Sequence, residues 1–370
     1  MNRAEFQFIL GVLQNKKTDI KASQIDWYSV LGFLELHKIT GPFYHAVRMM
    51  DITIPQQVLR KLASIVRFQV LRNSAMQEWA LKISAELNRA YIEHAFLKGS
   101  ILNSACIYRD GFVSPYAYLR TGNEYGTQAT LYNSGDRISN DIDLLIEAKN
   151  ISKVDNVLRS LGFVQGYWDF SKDNITELSR TEIISRRMNR GETAPYMQKI
   201  DSSVVPFIEV DVNFSIDYLP VGNEELLKDM LSSVRKYDNG LSSLSATFFF
   251  IHLLLHQYKE MTVLSMVKRN KDIELYKYLD IYKIIKAGLI GWPLFFEIAR
   301  KYNIEVVCVS VLKNAMTLFD TLQIDLSDCG QTFVLDPENG NKKYVWTKSL
   351  KARMLHFDSV KFLREADSDD

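Results

Sequence analysis

The chain has 370 residues, 47% hydrophobic and 24% charged, with 45 Lys and Arg against 44 Asp and Glu. This composition supplies a sizeable core and argues against a general basic coat for nucleic acid or an acidic solvating tail, while leaving room for a local basic patch. Its cysteines, Cys106, Cys308 and Cys329, are too scattered for a disulfide framework or a cysteine zinc site, and they fit the reducing cytoplasm taken as the expected location.

The first 92 residues read as helical. The opening MNRAEFQFILGVLQNKK has no small-residue cleavage site, so no signal peptide is expected, and Phe6, Ile9, Leu10 and Leu13 recur at helical spacing. Asp26 is placed to cap a helix running from Trp27 toward Met50. Pro55 suits the first turn of another, which continues to about Ala95 as one long helix or as two with a break near Asn73 and Ser74.

From about residue 93 to 220 the pattern changes. Ala95 to Lys98 reads as a short strand, Gly99-Ser100 as a turn, and Ile101 to Tyr108 as a return to helical spacing. Residues 109–134 look like an insertion, a β-hairpin or long loop with alternating segments at Tyr116 to Arg120 and Gln128 to Tyr132. Asp141 to Ile146 is a strand candidate. Asn150 or Ser152 starts a helix that Gly162 ends, and Phe163-Val164 opens another strand. Residues 170–200 carry no clear period. They are basic through Arg180, Arg186, Arg187, Arg190 and Lys199, either a solvated charge run or a site for an anion. Pro206 to Ile216 is β-branched and aromatic, hence a strand. Residues 221–370 return to helices, at 226–234, 243–260, 273–287, 293–302 and 305–319. The run TFFFIHLLL within the second falls short of the roughly 20 residues that span a bilayer. His252 and His256 inside it are expected to be core residues, and Asp280 to bridge helices of this region.

Three pieces carry chemistry. In DIDLLI the period of two puts Asp141 and Asp143 on one face of a strand. Two carboxylates so close repel unless a hard divalent cation such as Mg²⁺ or Mn²⁺ joins them. Gly99-Ser100, at a strand-to-helix corner, lets the backbone and a hydroxyl approach phosphate oxygens. In IEVDVNF, Asp211 shares a face with Glu209 and Asn213, and reaches the same cations if its strand lies beside DIDLLI. Lys98 faces either the site or solvent. Arg137 binds a phosphate or pairs with Asp136 or the acidic cluster.

In this order the three pieces resemble the polymerase-beta-like nucleotidyltransferase superfamily. DWYSVLGFLELHKITGPFYHAV, FLKGSIL, DRISNDIDLLIE, LRSLGF, VDVNF, FIHLLLHQYK and KYLDIYKII together resemble its bacterial branch of uncharacterised nucleotidyltransferases. The resemblance implies an α+β fold, a small mixed sheet with flanking helices between two helical regions. It implies transfer of a nucleoside monophosphate from a nucleoside triphosphate, ATP foremost, to an acceptor, with release of pyrophosphate. Asp141, Asp143 and Asp211 would hold Mg²⁺ or Mn²⁺, and Lys98, Gly99, Ser100 and Arg137 the nucleotide. The pattern departs at Asn213, where that family often has His, and in a long gap between Gly99 and Asp141. The acceptor stays open: a small molecule, a peptide, a protein or an RNA end. Two rivals remain, a metal-dependent glycosyltransferase using a sugar nucleotide and an inactive nucleotide-binding module.

Overall fold

The structure, a computed structural model, describes residues 1–16, 22–103, 105–109, 128–202, 204–216, 224–324 and 326. The segment Tyr116 to Arg120 and Cys329 lie outside these residues.

The amino-terminal region is built from helices α1 (Arg3–Leu13), α2 (Trp27–Leu36), α3 (Thr40–Met49) and α4 (Gln56–Arg89). Asn2 and Glu5 form a reciprocal capping box on α1, and Asp26 caps α2 as its position requires. The helix expected from Trp27 to Met50 is two helices. Pro42 cannot donate to a preceding turn, so the chain resets before it, with Lys38 in the left-handed region at φ 54°. Gly41, beside that proline, lets α3 touch the turn at 135–136, where an added Cβ would lie 2.4 Å from the Gly135 carbonyl oxygen. The long helix α4 is continuous over 34 residues. Its polar midpoint does not break it, because the Asn73 amide donates to the Arg137 carbonyl (2.9 Å) and the Ser74 hydroxyl to Val70 (3.0 Å).

The middle of the chain forms β1 (His94–Phe96), the single turn α5 (Gly99–Leu102), β2 (Cys106–Tyr108), β3 (Gln128–Thr130), β4 (Ile142–Ile146), α6 (Ile151–Ser160), β5 (Val164–Asp169), β6 (Asn174–Glu177), α7 (Arg180–Arg190), β7 (Tyr196–Lys199) and β8 (Phe207–Asn213). Helical spacing after Gly99 therefore stops at Leu102. Cys106 to Tyr108 is instead a strand paired antiparallel with Gln128 to Thr130, so the stem of the insertion starts earlier than its composition suggests. The unassigned stretch 170–200 supplies β6, α7 and β7, with Ser179 and Glu182 boxing the start of α7.

The main sheet has six strands in the order β1-β4-β8-β7-β5-β6. Only β4 and β8 run parallel, which makes the sheet mixed. Along β8, Ile208, Val210 and Val212 are buried while Phe207, Glu209, Asp211 and Asn213 look the other way, the two-residue period of a strand with one face on the core. The fold is thus α+β, as expected.

The carboxy-terminal helices are α8 (Glu224–Ser232), α9 (Ala246–Thr262), α10 (Leu264–Lys268), α11 (Leu275–Lys286), α12 (Trp292–Lys301) and α13 (Glu305–Leu318); a two-strand ribbon, β9 (Arg235–Lys236) with β10 (Ser242–Ser243), precedes α9. One hydrophobic cluster runs through all three regions, from Phe6 to Leu322. Among the described residues no helix is long and apolar enough to cross a membrane.

Asp280 on α11 does not bridge neighbouring helices. It accepts both Arg137 Nε (3.0 Å to each oxygen) and the Tyr132 hydroxyl (2.6 Å), which ties the C-terminal helices to the segment leading into β4. Arg137 and Asp280 are 5% and 2% exposed, so removing one partner strands the other charge in the interior. Asp280→Ala is expected to lower the unfolding free energy by about 3–5 kcal/mol, with Arg137→Met/Asp280→Leu recovering most of it. Denaturant melts of the three proteins check this; a loss under about 1 kcal/mol in the single variant contradicts it.

Candidate active site

The sheet register decides the geometry. In the parallel pair β4–β8, Asp143 lies directly across from Asp211, and Ile142 and Leu144 are matched by Val210 and Val212 on the core side. Asp141 stands one residue before β4 and, two residues from Asp143, shares its face. Oxygen atoms of Asp141, Asp143 and Asp211 all lie within 4.8 Å of one another. The structure therefore brings together three acids separated by up to 70 positions in the chain.

The corner before α5 completes this group. Lys98 has φ 47° and ψ −122°, a conformation costly for a residue with a side chain, of order 1–3 kcal/mol. The turn delivers its ammonium 2.7 Å from Asp143 Oδ1. Asp143 is 2% exposed, and its Oδ2 is buried without a hydrogen-bond partner. A buried acceptor left open beside two further carboxylates is the arrangement that a hard divalent cation satisfies.

Electrostatics follow from burial. Loss of water pushes the Asp143 carboxyl up to about 6; Lys98 opposes that and Asp141 adds to it. Burial, then Asp141 and Asp143, hold Asp211 well above the usual carboxylate range. The same causes push Glu209, on the same face of β8, up to about 7. Lys98 loses from burial but gains more from Asp143 and Asp141, so it stays protonated. Arg72 on α4 adds positive charge toward Asp141 and Glu209.

The acids open into a cavity of about 270 Å³. Ser139 and Asn140 border it on the sheet side, and its opposite wall comes from α9 to α11, with Lys38 from the N-terminal region. Seven Lys or Arg and seven Asp or Glu side chains line it among the described residues. On the helical wall Glu274 takes Lys277 at 2.7 Å and Lys271 at 3.0 Å, and Glu260 takes Lys277 and His256.

Several expected site residues sit elsewhere than their motifs suggest. Gly99 and Ser100 are buried under the loop before β4, outside the cavity lining. A Cβ on Gly99 would meet Ser139 Oγ at 2.5 Å and its Cβ at 2.6 Å, so the glycine there admits the loop. Arg137 does line the cavity, but its Nε belongs to Asp280, not Asp136, and its guanidinium lies 4.2 Å over the Tyr276 ring. Asp136 bonds His45 instead. His256, read as core, borders the cavity, where burial and then Lys98 push it down to about 4. Lys38, Glu192, Lys259, Glu260, Arg269 and Lys277 were not singled out at all. Of these, Lys38, Lys259 and Lys277 fall within the stretches ELHKITG, FIHLLLHQYK and KYLDIYKII that carry the resemblance.

A family model described as an uncharacterised nucleotidyltransferase matches residues 23–114 and 125–320. The chain belongs to this nucleotidyltransferase family. No curated protein matches it. The matched ranges contain the acid triad, Lys98 and the helical wall of the nucleotidyltransferase cavity alike.

Two stability measurements test this geometry. Asp211 meets like charges on several sides. A carboxyl whose folded pKa is raised contributes stability below its unfolded pKa, near 4, and loses it as pH rises through the folded value. Asp211→Asn is therefore expected to match the parent near pH 4 and to exceed its Tm by about 1–2 °C at pH 8, the effect of ~1 kcal/mol in a chain of this length. Asp143→Asn, where Lys98 already opposes the effect of burial, is expected to gain less than Asp211→Asn. A loss of Tm at pH 8 in Asp211→Asn contradicts the like-charge cluster. Separately, Gly99→Ala is expected to destabilise by about 1–3 kcal/mol through overpacking, and Ser139→Gly in the same chain to restore most of that.

Proposed function

We propose that the chain transfers a nucleoside monophosphate from a nucleoside triphosphate to an acceptor nucleophile, with Asp141, Asp143 and Asp211 holding Mg²⁺ or Mn²⁺. The single observation that carries this reading is the triad itself: three carboxylates within 4.8 Å, with one buried oxygen of Asp143 lacking a partner. A divalent pair bound there supplies charge neutralisation on the phosphates and a clamp for in-line displacement.

The charge census favours a highly anionic substrate. Seven cationic and seven anionic side chains leave the cavity near neutral. Two divalent cations add about four positive charges, and a nucleoside triphosphate brings about four negative ones. In the reaction the acceptor oxygen or nitrogen bonds to the α-phosphorus, the α–β bridging bond breaks, and pyrophosphate leaves.

Within that scheme Lys98 places a fixed ammonium beside the metal-binding acids, where it neutralises phosphate charge. Asp211 is the carboxylate to which the role of taking the acceptor's proton falls. Arg137, pinned by Asp280, fixes the cavity wall and the loop carrying Asn140 and Asp141. Gly99 and Ser100 act by seating that loop. ATP is the first donor to try. The site geometry leaves acceptors of several classes open, from small molecules to an RNA end.

A pyrophosphate-release assay with each of the four triphosphates and a pool of acceptors tests the reading. Asp141→Ala, Asp143→Ala and Asp211→Asn are each expected to lower turnover at least a hundredfold, and EDTA to abolish it. In parallel, Mg²⁺ with a triphosphate raises the Tm of the parent and not of the triad variants. Turnover that survives EDTA and all three substitutions refutes the proposal.

A further inference from the structure

The arginines of the segment 180–190 are absorbed only in part by the catalytic cavity. Arg186 acts on Glu209 on the catalytic face of the sheet. Arg180 and Arg187 line a second cavity, about 690 Å³, between α6 and α7. On α7 its wall is Arg180, Ile183, Ile184 and Arg187, spaced i, i+3, i+4, i+7, which is one stripe of a helix. On α6 the facing stripe includes Ile151, Asp155 and Arg159. The floor is the sheet face turned away from the triad, where Gln165 and Tyr196 are register partners.

The chemistry of this cavity is specific. Asp155 accepts from Arg159 (Nε to Oδ2, 2.9 Å) and from the Tyr196 hydroxyl (2.9 Å), which links the guanidinium of the α6 wall to the floor. Arg159 and Arg187, on opposite walls, both act electrostatically on Tyr196 at the floor. Thr193 lines the same cavity, is 5% exposed, and its hydroxyl has no partner. Three arginines stand against two carboxylates, Asp155 and Glu177, and Asp155 is already engaged. The isoleucines give the cavity an apolar side. Glu192 lines the catalytic cavity and the next residues, Thr193 and Ala194, line this one, so the two spaces are neighbours divided by backbone.

We propose that the α6–α7 cavity is a second, non-catalytic binding site for a small ligand with a phosphate group and an apolar or planar body, a nucleoside monophosphate being the size that fits. Guanidiniums bind phosphate oxygens in pairs, and Arg159, Arg180 and Arg187 supply them here. The isoleucines of both walls cover the body, and Thr193 gains the partner it lacks. No metal is needed.

Calorimetry on the full chain in EDTA separates this site from the catalytic one. The probes are AMP and inorganic phosphate. AMP is expected to bind the parent, to bind Arg180→Ser/Arg187→Ser at least tenfold more weakly, and to bind Asp211→Asn with parental affinity. Phosphate alone is expected to bind the parent more weakly than AMP and to compete with it. The serine substitutions fall on exposed positions of α7, so the double variant keeps the fold, and its metal-dependent Tm rise with triphosphate stays parental. Absence of AMP binding in EDTA, binding that survives the double serine variant, or binding lost in Asp211→Asn each overturns the proposal. None of these outcomes bears on the triad's own metal-dependent assay.

Discussion

The pairing of β4 with β8 is the constraint on which the rest depends. It sets Asp143 opposite Asp211 on one face and Ile142 and Leu144 opposite Val210 and Val212 on the other. Two carboxylates less than 5 Å apart repel by on the order of 3 kcal/mol in a partly buried setting. Each fully buried aliphatic side chain returns about 1.5–3 kcal/mol, and all four across this register are buried. The apolar face therefore holds the acidic face together against its own charge. A slip of one residue would send the aliphatics to the cavity and the acids to the core, so no intermediate register competes.

What the strands supply in negative charge the helices answer in positive charge. Lys98 reaches Asp143 from the strained corner after β1, while Lys38 and the residues of α9 to α11 face the acids across the cavity. Their placement depends on the Arg137–Asp280 pair, because Asp280 is on α11 and Arg137 is four residues before Asp141. A helix far along the chain is thereby tied to the loop that presents the first acid. Glu260 and Glu274 pair with Lys277, Lys271 and Lys38 and offset only part of that positive charge.

Much of this was legible in the sequence where a local rule decided the matter. Period-two alternation gave both acidic faces, Asp26 gave the start of α2, and the order of FLKGS, RISNDIDLL and VDVNF pointed to the fold. Where the deciding contact was distant, local rules failed. The glycine of Gly99-Ser100 looks like a phosphate turn, yet what crowds it is Ser139, forty residues on. Arg137 looks like a phosphate ligand, yet its nearest charge comes from residue 280. His256 sits in so apolar a run that burial was the natural reading; it is half-buried, at the edge of a polar cavity. The helix 27–50 failed for a local reason, Pro42; 101–108 failed because Cys106 to Tyr108 pairs with Gln128 to Thr130 inside the insertion.

The strain in this site has a direction. Lys98 is held at an unfavourable backbone angle, Asp143 keeps one oxygen bare, and Asp211 is crowded by four other carboxylates. Each of these costs folding free energy; the open Asp143 oxygen and the crowding of Asp211 are relieved by positive charge arriving at the same point, and the Lys98 angle delivers the first such charge. A single lysine answers only part of that demand, since it touches Asp143 through one oxygen and leaves the other open. A sheet selected for stability alone would carry Asn at one of these positions, because an amide keeps the shape and removes the repulsion. All three acids nevertheless stand on one face, with the cost carried by the aliphatics behind them, which is the observation the cation-binding proposal rests on.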